Sequence, residues 1–86
     1  MASYEIRFKQ SVAKDLRALP RANVASILER ISALSDEPRP RGCEKLSGLD
    51  RYRVRQGPYR ILYEVRDQER AVVVVKVGHR RDVYRS

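Results

Sequence analysis

Arg51-Tyr52-Arg53-Val54-Arg55-Gln56-Gly57-Pro58-Tyr59-Arg60-Ile61-Leu62-Tyr63-Glu64-Val65-Arg66 is the stretch that decides the fold. Tyr52 and Val54 alternate with Arg51, Arg53 and Arg55. Tyr59, Ile61, Tyr63 and Val65 alternate with Arg60, Leu62, Glu64 and Arg66. A period of two belongs to a strand, because successive side chains point to opposite faces. Gln56-Gly57-Pro58 is a turn between the two runs. The stretch therefore predicts an antiparallel hairpin with one apolar face and one face rich in arginine.

Downstream, Asp67 to Glu69 makes a second tight turn. Ala71 to Val77 is apolar at both parities, which predicts a strand covered on both sides, and Gly78 is expected to break it. Upstream, residues 3–8 alternate again and set Tyr4, Ile6 and Phe8 on one face of a first strand. Ser11 is placed to cap a short helix whose stripe is Val12, Leu16 and Leu19. Pro20 stops that helix or opens the next. Val24, Ile27, Leu28, Ile31 and Leu34 follow the spacing of a helix with one buried face, which ends before Pro38. Residues 36–43 are a loop by their prolines and glycine. The order β-α-α-β-β-β predicts an α+β domain over residues 1–86, with two N-terminal helices packed on a mostly antiparallel sheet. At this length one small core is all the chain can bury.

The charge is uneven. The formal net charge is +8. Residues 1–38 carry six basic and five acidic side chains, residues 39–86 thirteen and six, so nearly all the excess lies in the second half. Arginine outnumbers lysine fifteen to four. Its planar fork matches phosphate and stacks on bases, so the basic half reads first as a nucleic-acid surface. A charged surface kept for solubility is the alternative.

Several chemistries are set aside. Cys43 is the single cysteine, so an internal disulfide and a cysteine-based zinc site are excluded. No Gly-rich phosphate loop and no metal-ligand spacing is present, and neither a cofactor nor a metal is expected. Ser35 and Ser47 lack partners for a triad. Residues 1–5 lack the apolar core of a signal peptide, and the apolar run from Ala71 to Val75 is too short to cross a bilayer. A soluble, cytoplasmic protein with no membrane partner is expected.

Two groups remain. Arg51, Arg53 and Arg55 share a strand face, with Arg60 within cross-strand reach. Such a cluster of like charges suits an anion; a solvated edge strand is the alternative. Gly78-His79-Arg80-Arg81-Asp82-Val83-Tyr84 follows the buried strand. His79 is the only histidine, the side chain that titrates near neutrality. Tyr84 shares a helical face with Arg81 if that segment turns helically.

Lys45-Leu46-Ser47-Gly48-Leu49, Tyr52-Arg53-Val54-Arg55, Tyr59-Arg60-Ile61-Leu62-Tyr63 and Val77-Gly78-His79-Arg80-Arg81-Asp82-Val83-Tyr84, in this order, resemble the RelE branch of the RelE/ParE toxin superfamily. The resemblance implies a toxin of a type II toxin–antitoxin system that cuts messenger RNA in the ribosomal A site, without metal, by attack of a 2′-hydroxyl on the adjacent phosphate. It also implies a cognate antitoxin. On this resemblance Arg60 and Arg80 hold the scissile phosphate, Arg53 and Arg55 steady the bent backbone, and Tyr84 stacks on a base or orients the phosphate. Lys45, Arg51 and Arg81 extend the RNA-binding set. The family often has lysines where this chain has Arg53 and Arg55. Arginine does not deprotonate, which makes His79 the candidate for moving the proton. The rivals are a gyrase-inhibiting toxin of the ParE type and a nucleic-acid-binding module without catalysis.

Overall fold

In the computed structural model, which describes residues 3–46 and 50–79, the arginine-rich hairpin lies within a five-stranded sheet. The chain runs β1 (Glu5–Phe8), α1 (Gln10–Arg17), α2 (Arg21–Ala33), β2 (Glu44–Lys45), β3 (Arg51–Gln56), β4 (Tyr59–Arg66) and β5 (Ala71–His79). The strand order is β1-β5-β4-β3-β2. β1 pairs with β5 in parallel, and the other pairings are antiparallel. The α+β class and the two helices on a mostly antiparallel sheet are as the sequence predicts.

The β3–β4 turn is Gly57-Pro58, with Gly57 at φ +58. Proline cannot take a positive φ, so the pair suits a type II′ turn, whose twist matches the flanking strands. The β4–β5 turn extends to Arg70 rather than Glu69, and Arg70 takes φ +51 in the left-handed region.

One sheet face carries the core. Tyr52, Val54, Ile61, Tyr63, Val65, Val72, Val74 and Val77 meet Val12 of α1 and Ile27 and Ile31 of α2 there. Ala71 to Val74 of β5 are buried at both parities, and further along the strand the helix-facing parity changes. The register shifts between Leu62 and Tyr63, so Leu62 faces Lys76 while Tyr63 faces Val74. This β-bulge changes the parity of β5 midway, and Val72, Val74 and Val77 all reach the helix side.

β5 also outruns β1, whose pairing stops at Phe8 and Val74. Beyond that point Asp15 of α1 accepts the Val77 N–H on Oδ2 at 3.1 Å. Asp15→Ala should therefore cost about 1–2 kcal/mol in urea unfolding, with Asp15→Asn recovering most of it through its carbonyl oxygen.

Local details depart from the sequence reading. Ser11 lies inside α1, and Lys9 precedes the helix without a side-chain cap. Lys9 N–H is held by Val74 O at 2.9 Å, so β1 feeds straight into the helix. Phe8 keeps 47% exposure because β1 is an edge strand. Leu28 is 41% exposed. It sits about 100° around the helix from Ile27, turned away from the buried side. Gly78 does not end β5, which runs on to His79 because Gly78 pairs with Arg60. Finally, residues 44–45 form the short edge strand β2, too brief to show a period.

Candidate nucleic-acid interface

Register decides which arginines meet. Arg55 lies directly across from Arg60, and Arg60 across from Gly78, in one row over β3, β4 and β5. The next row is Glu44, Arg53, Leu62 and Lys76. Paired residues share a face, so both rows stand opposite the helices. Gly78 presents no side chain beside Arg60.

Glu44 is a member of this cluster that sequence reasoning missed. Its Oε2 lies 2.6 Å from Arg53 Nη2 and its Oε1 3.5 Å from Arg55 Nη2. The hydrogen bond from Arg53 holds the Glu44 carboxyl below its ordinary range, and the charges of Arg53, Arg55 and Arg60 add to this. Arg53 is only 10% exposed at its side chain, against the alternative of a solvated row, whereas Arg55 is 62% exposed. β2 has no periodic pattern, and the pairing of Glu44 with Arg53 is its only signal.

Three predicted residues stand elsewhere. Arg51 pairs with Glu64 and grips it through Nε at 3.0 Å and Nη2 at 2.9 Å. It faces a concavity at the far end of the sheet that carries the carboxylates Asp50, Glu64, Asp67 and Glu69, a poor seat for phosphate. Lys45 pairs with Tyr52 and so belongs to the helix side of the sheet. His79 pairs with Tyr59, also on the helix side. Its ring meets Tyr59 edge-on, with centroids 6.0 Å apart, and Asn23 of α2 donates to Tyr59 Oη at 2.8 Å. His79 shares the arginines' end of the sheet but stands on the opposite face, because strand parity separates it from Arg60. Arg80, Arg81 and Tyr84 lie outside the described residues, as do residues 47–49 of the first quoted motif. Among the described residues no group of His, Cys, Asp and Glu could hold a metal ion. No helix among them is long and apolar enough to cross a membrane.

A family profile described as ParE toxin of type II toxin-antitoxin system, parDE, matches residues 6–84. This chain belongs to that family, within the RelE/ParE superfamily. The toxin RelG of Mycobacterium tuberculosis is 36% identical, over 95% of this chain and 97% of that protein. In structure the chain resembles the RelBE2 toxin–antitoxin complex of the same organism, with 34% identity, TM-score 0.82, and coverage of 93% and 94% of the two chains. It also resembles the archaeal RelE–RelB complex of Pyrococcus horikoshii OT3, with 31% identity, TM-score 0.78, and coverage of 91% and 96%. The chain is a RelE-family toxin of the type II toxin–antitoxin class.

The carboxylates of this RelE-family chain set its acid response. Hydrogen bonds from Arg39 and Tyr4 lower Asp67, one from Arg7 lowers Glu69, and one from Arg53 lowers Glu44. Burial would raise Glu64, but hydrogen bonds from Arg51 and Arg66 bring it down overall. A depressed folded pKa contributes stability above the unfolded value, lost as pH falls through the folded one. Thermal midpoints should hold down to about pH 5 and then fall steadily below about pH 4. Added salt should narrow this fall, since these pairs are largely exposed.

Proposed function

We propose that the chain is a metal-independent endoribonuclease that cuts messenger RNA in the ribosomal A site. The observation that carries this reading is the row Arg55–Arg60–Gly78 with Arg53 beside it, a set of guanidinium groups gathered at one end of one sheet face. Guanidinium forks bind phosphate oxygens in pairs and neutralise the charge that grows there. Arg60, with Arg80, holds the scissile phosphate. Arg53 and Arg55 steady the bent backbone, and Tyr84 stacks on a base. The 2′-hydroxyl loses its proton and bonds to phosphorus, and the 5′-oxygen leaves and is protonated. None of the arginines can take the first proton. That step falls to Tyr84 or to a group of the ribosome. His79, on the helix side, is kept outside the phosphate-holding set.

The partners follow from the same surface. The crystal structures of relatives named above are complexes with RelB antitoxins. An acidic or amphipathic antitoxin segment is expected to cover the basic face of this chain. On the helix side, at the β1 edge, exposed Phe8 and Leu28 flank a shallow groove with Val12 and Leu16, an apolar seat for a segment that wraps from one face of the sheet to the other.

The test is to induce the chain alone and map messenger RNA ends with and without ribosomes. Breaks inside translated codons support the nuclease. The family description names ParE, which favours one second reading. Growth arrest with intact messenger RNA and damaged DNA would establish gyrase inhibition instead. No arrest would leave a nucleic-acid-binding module without catalysis.

A further inference from the structure

We propose that the Glu44 carboxylate, seated between Arg53 and Arg55, is a built-in competitor for the RNA backbone, which single-stranded RNA must displace. The inference rests on the RNA reading above and names a further contact of that site.

A carboxylate and a phosphodiester present the same feature to a guanidinium, a singly charged group with two oxygens in a fork. Glu44 already makes the contacts such a group would make, at 2.6 Å to Arg53 and 3.5 Å to Arg55. Its hold is unequal. The contact with Arg55 is the longer one, and that guanidinium is 62% exposed. Glu44 is itself 51% exposed and sits on a two-residue edge strand. The Arg55 pair, exposed on both sides, is weak and screened by salt, whereas Arg53, 10% exposed at its side chain, holds Glu44 at 2.6 Å and is the contact the phosphate must replace.

The spacing of the rows points to RNA as the displacing ligand. Residues two apart on a strand are about 6.6 Å apart along it. Arg53 and Arg55 stand in that relation, and the distance is comparable to that between consecutive phosphates on an extended strand. One phosphate at the Arg55–Arg60 row would carry its neighbour to Arg53. An isolated anion lacks that second anchor, whereas a strand already held by Arg60 delivers the phosphate at high local concentration.

The experiment uses the full chain, its Glu44→Gln variant, and a single-stranded RNA oligonucleotide with 2′-O-methyl riboses throughout, which cannot be cleaved by its own hydroxyl. Affinity is read by fluorescence anisotropy across a salt series. Removing one negative charge beside the bound strand should tighten binding about fivefold. The slope of log affinity against log salt should stay the same, because the strand fills the same phosphate contacts in both proteins once it has displaced Glu44. Adding Arg53→Gln to Glu44→Gln should cancel the gain in affinity. Glu44→Ser repeats the measurement should the glutamine variant fold poorly. A folded variant with unchanged or weaker affinity, or one whose slope steepens by a whole contact, overturns this inference alone. A wild-type chain that binds no RNA at any salt overturns both this inference and the RNA reading.

Discussion

Arg60→Ala is expected to lower the rate of cleavage of ribosome-bound messenger RNA by about a hundredfold or more. Arg60 sits on β4, which is hydrogen-bonded to β3 on one side and β5 on the other. Its Cα is therefore fixed by two ladders, and its guanidinium starts from a rigid base. A donor that is preorganised needs no rearrangement as charge develops on the phosphate. Such a donor is worth most in the transition state. Arg55 faces it from β3 but is 62% exposed, so water already screens much of its field. Arg55→Ala should cost only about tenfold. Arg60→Lys separates charge from geometry. Lysine keeps the charge and loses the fork, so the variant should recover part of the rate and not all of it. Single-turnover cleavage on ribosomes, with a thermal melt of each variant, checks the series. A folded Arg60→Ala protein that cuts at the wild-type rate would remove Arg60 from the phosphate.

The hairpin and the arginine row were legible because both rest on parity. Strand alternation and one tight turn are enough to place Arg55 near Arg60 without knowing anything of the rest of the chain. The helices were legible for the same kind of reason, although Leu28 shows that a stripe of apolar residues is wider than the contact it makes. Three things were out of reach. The bulge opposite Leu62 and Tyr63 leaves no mark in a run of valines, yet it shifts the parity of β5. Without that shift His79 is easily assigned to the arginine face. Glu44 was missed because a two-residue strand has no period, and its role depends on a partner nine residues away. Arg51 looked like its neighbours on β3, but the opposing residue on β4 is Glu64, which absorbs its charge. In each case the deciding fact was the residue across the ladder, not the residue itself.

The largest loss of stability is expected at Tyr63. Its side chain is fully buried, its ring stacks on Tyr52 with centroids 5.8 Å apart, and its hydroxyl donates to Pro38 O at 2.7 Å. Burial, with Cys43 adding to it, pushes the phenol's ionisation far above its ordinary value, so the hydroxyl remains a donor at every working pH. Tyr63→Ala opens a large cavity in a thin core and should cost about 3–5 kcal/mol. For a chain of this size that is a fall in Tm on the order of 20 °C. Tyr63→Phe keeps the ring and leaves the buried Pro38 carbonyl without its donor, at a cost of about 1–3 kcal/mol. The same loop is tied by Arg39, which reaches Asp67 at 2.8 Å and Tyr52 Oη at 2.9 Å. That ion pair is 39% and 55% exposed, so Arg39→Ala should cost less than Tyr63→Phe despite making more contacts. The loop leads directly into β2 and Glu44. Tyr63→Phe should therefore weaken the grip of Glu44 on Arg53 while leaving the Arg55–Arg60 pairing intact. Calorimetry measures the stability, and RNA affinity relative to wild type below the melting range measures the coupling. A Tyr63→Phe protein that melts with the wild type would show that Pro38 O finds another donor and that the loop is not held by this bond.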